Sequence, residues 1–280
     1  MPFDLSALKK AGKEVAGNSG ASLIDLGDGV LCCEFHTKMN SIDGDIIEMI
    51  NKGLDLLEES DDWKGMVLGN QGENFCVGAN LMLIFMSIQQ AKGMDDPKEV
   101  AAMWDTLEST VKALQDALQR CTYSPKPVVA APFGMTLGGG MEISMGADAM
   151  CAHADLFMGQ VELGVGVIPG GGGNKELLIR HLEGIPEGAG NVNLTPYLQL
   201  VFEAIGMAKV SMSAHEAMAL NFLRRSDKIV TNKEHLLGTA KRMVQAMSLE
   251  GYTQPIQRKL KLPGEQGYAT LRMVIDLSLI

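Results

Sequence analysis

Aromatic residues are scarce in this chain: of 280 residues, 2 are Trp, 4 are Tyr and 8 are Phe. Its core must therefore be built from aliphatic side chains and from methionine, of which there are 19. Basic residues are also short, with 24 Lys and Arg against 34 Asp and Glu and a net charge of −10. That balance argues against nucleic acid or an anionic membrane surface as a general partner, but leaves room for one anionic ligand held locally. The five cysteines, Cys32, Cys33, Cys76, Cys121 and Cys151, form no C-x-x-C pair, and the five histidines form no H-E-x-x-H. Neither a disulfide framework nor a metal site is expected, and reduced thiols fit the cytosol. No apolar run reaches membrane-spanning length and the N-terminus lacks the apolar core of a signal peptide, so a soluble cytoplasmic protein is expected.

What is present is an ordinary globular mixture, 46% apolar and 21% charged. Residues 1–20 read as a weakly ordered lead-in. Residues 21–26 and 30–35, split by Gly27-Asp28-Gly29, predict a β-hairpin. Ile46, Ile47, Ile50, Leu54 and Leu57 recur at helical spacing within residues 45–59. A short buried strand follows at 65–69, then a turn, a helical stretch broken near Gly93 and Pro97, and a long helix over 100–121. Residues 127–131 and 149–154 predict strands, and 140–146 and 174–181 predict helices. The glycine-rich stretch 184–193 predicts a loop, and two or three helices fill 196–249. Alternating strands and helices argue an α/β fold. The domain reading is a lead-in over 1–20, a core over 21–195 and a helical C-terminal region over 196–280 that ends as if truncated.

Two glycine-rich segments invite nucleotide-binding readings and fail them. Gly170–Gly173 followed by Asn174-Lys175-Glu176 lacks the spacing and the Ser or Thr of a phosphate loop. Gly164-Val-Gly166-Val-Ile-Pro169 puts proline where a dinucleotide site needs its third glycine. No G-x-S-x-G nucleophile turn occurs.

The segment around Gly138-Gly139-Gly140 is more informative. A short apolar run bounded by prolines enters three glycines, which open a helix carrying Glu142, and a second carboxylate, Glu162, lies not far beyond. A glycine junction lets another group approach the backbone, and a helix N-terminus offers free N–H groups and a positive dipole, which suits a developing oxyanion.

Three segments in order resemble one family. Asn74-Phe-Cys-Val-Gly-Ala-Asn80 is similar to F-x-x-G-A-D, and Gly134-Met-Thr-Leu-Gly-Gly-Gly-Met-Glu142 to G-x-x-x-G-G-G-x-E-L. Phe157-Met-Gly-Gln-Val-Glu162, running on to Pro169-Gly-Gly-Gly172, is similar to F-G-x-P-E-x-x-x-G-x-x-P-G-x-G. Together they resemble the enoyl-CoA hydratase/isomerase (crotonase) superfamily. The likeness runs over residues 21–230 and is densest across 126–177. It implies an α/β fold, a crotonase-like spiral of ββα units with a mostly helical C-terminal region, assembled as trimers or hexamers. It implies an acyl-CoA thioester as substrate, with CoA belonging to the substrate and no cofactor bound by this chain.

By that resemblance Ala79 and Gly139 supply the two N–H groups that grip the thioester carbonyl. Glu142 activates water for attack at C3, and Glu162 protonates C2. Lys38 and Asn40, within Lys38-Met-Asn40, match a P-K-x-N segment that lines the CoA site, though an exposed loop lysine explains Lys38 equally well. Gly78, Gly138 and Gly170 complete the expected substrate-binding set. Methionines and Phe85 after Ala79 either wall an acyl pocket or pack the core. His36 is expected to be structural, and Lys175 a solvated surface residue.

Asn80 and Pro132-Phe133-Gly134 depart from the family pattern, as do the longer stretches 79–126 and 177–213. The last thirty residues do not match the helical ending of compact hydratases. The chain looks more like the hydratase portion of a bacterial bifunctional protein that also carries a 3-hydroxyacyl-CoA dehydrogenase, whose NAD-binding domain would lie outside these residues. Hydration within fatty-acid β-oxidation is the leading expectation. Its alternatives are an enoyl-CoA isomerase and a non-catalytic acyl-CoA-binding or oligomerisation module.

Overall fold

The computed structural model describes residues 3–94, 96–186, 188–190, 192–257, 259–260 and 262–278, with backbone alone for 81–85, 87 and 278. A seven-stranded sheet forms its centre. In chain order its strands are β1 (Glu14–Gly17), β2 (Ala21–Asp25), β3 (Val30–Phe35), β4 (Gly65–Gly69), β5 (Val128–Ala130), β7 (Ala149–His153) and β9 (Lys228–Val230), and they lie side by side in that order. β6 (Gly134–Leu137) and β8 (Leu156–Gly159) form a separate two-stranded ladder.

The expected hairpin is β2–β3, antiparallel with Ala21 opposite Phe35 and Asp25 opposite Leu31. From β3 onward every neighbouring pair in the main sheet is parallel. Parallel strands are covered on both faces, which is why β4 and β5 are buried throughout and read as continuous apolar runs.

The covering helices follow from side-chain alternation. Helix α2 (Gly44–Glu59) is capped by the Asp43 carboxylate, which accepts from the Ile46 N–H, and it buries Ile46, Ile50, Leu54 and Leu57. Its Gly53 packs on Met66 and Leu23, whereas Gly69 faces Leu237 of α9 (Leu236–Leu249). Residues 66 and 69 point to opposite faces of β4, so α2 and α9 lie on opposite sides of the sheet.

Several elements differ from the sequence reading. Residues 1–20 are not a loose lead-in: α1 (Leu5–Lys10) is capped by Asp4 and buries Leu5, and β1 pairs with β2. The strands β6, β8 and β9 are additional to those expected, being only three or four residues long. The C-terminal region is helical, with α7 (Thr195–Gly206), α8 (Ala214–Ala219), α9 and a further helix α10 (Gly264–Ser278). Its strand β9 joins the main sheet beside β7. The helix after Ala79 is α3 (Leu81–Lys92), the long one α4 (Pro97–Thr122), and those after the two glycine runs α5 (Gly139–Gly146) and α6 (Gly173–Leu182).

Candidate active site

The small ladder positions the site. β6 and β8 run parallel, with Gly134 opposite Leu156 and Leu137 opposite Gly159, and the Gly138 N–H extends the pairing to the Gly159 carbonyl at 2.8 Å. Parallel strands deliver their following segments to the same edge. β6 passes into α5, whose first turn holds Glu142, and β8 passes into a 3-10 turn over Glu162–Val165. Two glutamates distant in sequence thus arrive side by side.

Each glycine of the triplet meets a different neighbour. At Gly138, with φ +53°, an added Cβ would lie 2.9 Å from Glu162 Oε1. At Gly139 it would lie 2.6 Å from Ile42 Cδ1 and 3.5 Å from the Ala79 nitrogen. At Gly140 it would collide with the Cys76 carbonyl.

The backbone around Ala79 is pinned from both sides, since Ile42 donates to the Gly78 carbonyl at 2.9 Å and Asn80 donates to the Ile42 carbonyl at 3.2 Å. The Ala79 and Gly139 N–H groups themselves have no acceptor among the described residues. Two neighbouring N–H groups without acceptors at a helix start are chemically suited to negative charge on an oxygen.

Glu142 is buried, at 3% exposure, and its Oε1 accepts from the Gly173 N–H at 2.8 Å. Burial pushes its pKa up, opposed by the N–H groups of Gly173, Gly171 and Gly172. An added Cβ at Gly171 would lie 2.7 Å from Glu142 Oε2. Glu162 is pushed up to about 7, chiefly by burial; its own backbone N–H opposes this and the Glu142 charge reinforces it. Its Oε2 is buried with no hydrogen-bond partner. Burial thus raises both carboxyls of the pair, and Glu162, at about 7, is poised to carry a proton near neutral pH.

The structure brings Ala79, Gly78, Gly138, Gly139, Glu142 and Glu162 together. It puts the other expected residues elsewhere or in different roles. Lys38 is exposed on the 3-10 turn Lys38–Asn40. Asn40 is buried, its amide donating to the Asn74 carbonyl at 2.9 Å and holding the turn that precedes Gly78. The Gly170 carbonyl accepts from Gln115 at 2.6 Å. His36 lies 3.0 Å from the Ser22 hydroxyl, and Lys175 pairs with Glu176 at 2.9 Å. Met86 is exposed, while the side chains of Met82 and Phe85 lie outside the described residues. Among the described residues no three His, Cys, Asp or Glu side chains are placed to hold a metal.

Sequence reasoning missed the residues that hold Glu142. Gly171–Gly173 looked like a failed phosphate loop, and the run does cradle an acidic group: the carboxyl of the protein's own Glu142. The glycine run directly before a helix was the available signal.

A catalytic-type pair of carboxylates beside two free N–H groups, set on a crotonase fold, places the chain in a class, and comparison with known proteins names it. Residues 26–184 match the family described as Enoyl-CoA hydratase/isomerase, and the chain belongs to that family. It is 47% identical over 267 residues to a probable 3-hydroxyacyl-CoA dehydrogenase of Bacillus subtilis, covering 95% of this chain and 31% of that protein. It is 28% identical over 138 residues to a probable enoyl-CoA hydratase of the same organism, covering 49% of this chain and 48% of that protein. The chain thus spans about a third of the first relative and about half of the second. The crystal structure of an enoyl-CoA hydratase from Polaromonas sp. JS666 shares the fold, with a TM-score of 0.64 at 19% identity over 81% of this chain and 77% of that one.

Proposed function

We propose that the chain hydrates trans-2-enoyl-CoA to 3-hydroxyacyl-CoA. The observation that carries this is the pair Glu142 and Glu162 meeting beside the Ala79 and Gly139 N–H groups. The thioester carbonyl accepts from those two donors, which stabilise the negative charge that builds on its oxygen as water adds. Glu142, ionised, orients a water and takes a proton from it while the oxygen bonds to C3. Glu162, protonated, gives its proton to C2. One O–H bond and the C=C π bond break, and one C–O and one C–H bond form, with no net oxidation and no cofactor. CoA enters as part of the substrate, and Lys38, exposed on its 3-10 turn, is the chain's candidate for its phosphates.

The test is hydration of crotonyl-CoA. Glu162→Ala is expected to lower turnover about 10²–10⁴-fold, the usual size of a general acid–base contribution, while still binding CoA thioesters. A Glu142→Gln variant that kept full double-bond isomerase turnover would favour the isomerase reading instead. Absence of hydration by the full-length protein would sink the assignment.

The 3-hydroxyacyl-CoA product is what a dehydrogenase oxidises next. The 47%-identical relative named for that activity supports a place in fatty-acid β-oxidation, beside a dehydrogenase whose NAD site lies outside these residues. Five free, buried cysteines suit a reducing cytoplasmic location, and among the described residues no helix is long and apolar enough to cross a membrane. Self-association into a trimer or hexamer is supported by an exposed apolar surface. Ile168 and Met207 are each 74% exposed. The net charge of −10 weighs against nucleic-acid partners.

A further inference from the structure

A cavity of about 310 Å³ lies between α4, α5 and α6 and reaches Glu142 from behind. On α5 it is lined by Glu142, in the first turn, and by Gly146, one turn further on, while neither Ala79 nor Gly139 lines it. Its lining is mixed: polar side chains, Gln119 and Thr122 from α4 and the Lys175–Glu176 ion pair from α6, alternate with apolar surface from glycines and side-chain stems. Leu118 contributes the one large apolar side chain. An acyl tail entering here would strip water from charged and amide groups without replacing their hydrogen bonds, which is costly. A partly polar space of this size holds several waters.

Hydration consumes a water each turnover and leaves Glu142 protonated and Glu162 ionised, so one proton passes from the Glu142 side back to Glu162 before the next turnover. With a thioester on the Ala79 and Gly139 donors, the approach along the α5 N-terminus is filled by substrate. Resting on the hydratase reading above, we propose that this cavity is the water-entry port of the site. It delivers water to Glu142 by a path separate from the one taken by acyl-CoA. Gln119 is a gating residue for this path rather than a catalytic one.

The decisive experiment compares two reactions in the full-length protein: crotonyl-CoA hydration, and exchange of the C2 proton of butyryl-CoA with D2O, which uses the N–H pair and Glu162 but adds no water. In Gln119→Phe, whose ring fills the cavity, hydration kcat is expected to fall about tenfold, with KM and C2 exchange changed by less than about twofold. Gln119→Asn, which keeps the wall polar, should retain hydration to within about twofold. If the ring unseats α4, Lys175→Trp fills the cavity from α6 and should give the same split. Unchanged hydration in both filled variants, or an equal fall in both reactions, would overturn the port. Failure of the unsubstituted protein to hydrate crotonyl-CoA would instead remove the hydratase reading on which the port rests.

Discussion

A methyl group at residue 138 would need space that the Glu162 carboxylate already fills, 2.9 Å away, and a backbone of φ +53° that side chains rarely adopt. Gly138→Ala is therefore expected to displace Glu162 and lower kcat for crotonyl-CoA hydration at least about tenfold, because misplacing an acid by even a fraction of an ångström weakens proton transfer. CoA-thioester affinity, read separately, should change less. The elevated pKa of Glu162 makes a second prediction. Its proton is present below and lost above about 7, so hydration kcat/KM should fall as pH rises through that value. The residual activity of Glu162→Gln should lack this limb. A pH profile for Glu162→Gln that still falls through the same range would assign the titration to another group.

Among the elements, the turn between α5 and β7 carries a comparable strain. Asp148 accepts from the Val128 N–H at 2.8 Å and from the Tyr252 hydroxyl at 2.7 Å, tying β5 and the segment after α9 to that turn. Burial nevertheless pushes its pKa up to about 6, outweighing both hydrogen bonds. The folded state thus holds this proton more tightly than the unfolded chain, whose Asp ionises near 3.9. Its stabilising contribution is complete below that value and is lost as pH rises through about 6. The urea midpoint should fall across that window, and Asp148→Asn should make the fall shallower; an unchanged slope would exclude Asp148 as a source.

Periodicity makes α2 legible before any coordinates, since five apolar residues recur at helical spacing, and Gly27-Asp28-Gly29 makes the hairpin equally plain. The ladder β6–β8 was hidden because four residues are too few to show alternation, and its pairing is a long-range fact no local pattern encodes. The lead-in was misread for a similar reason: Leu5 finds its burial, and its backbone N–H the side chain of Gln71, only in the folded chain. At the site, the acids and glycines were readable as a pattern. That Gly171–Gly173 serve Glu142, and that Asn40 serves a turn, needed the contacts.

For the whole molecule, large apolar side chains left in water, Ile168 and Met207 among them, are at odds with a solitary chain. Sedimentation equilibrium is expected to give three or six times the 30.1 kDa chain mass, with Ile168→Asp shifting the distribution toward monomer. A monomer at all concentrations would remove that reading.

The distance between the two acids is set far from either of them. β8 is clamped on its outer side by residues beyond α7: the Ser211 N–H donates to the Met158 carbonyl, the Ser211 hydroxyl meets the Met158 N–H and the Leu156 carbonyl, and Gly159 is pressed against Lys209. A strand slipping by one residue would carry its cargo about 3.3 Å and turn it to the opposite face. Ser211, completely buried and touching neither glutamate, therefore works as the stop on a ruler whose marks are Glu142 and Glu162. Tolerance for error in the chemistry is inherited from how firmly that stop is held.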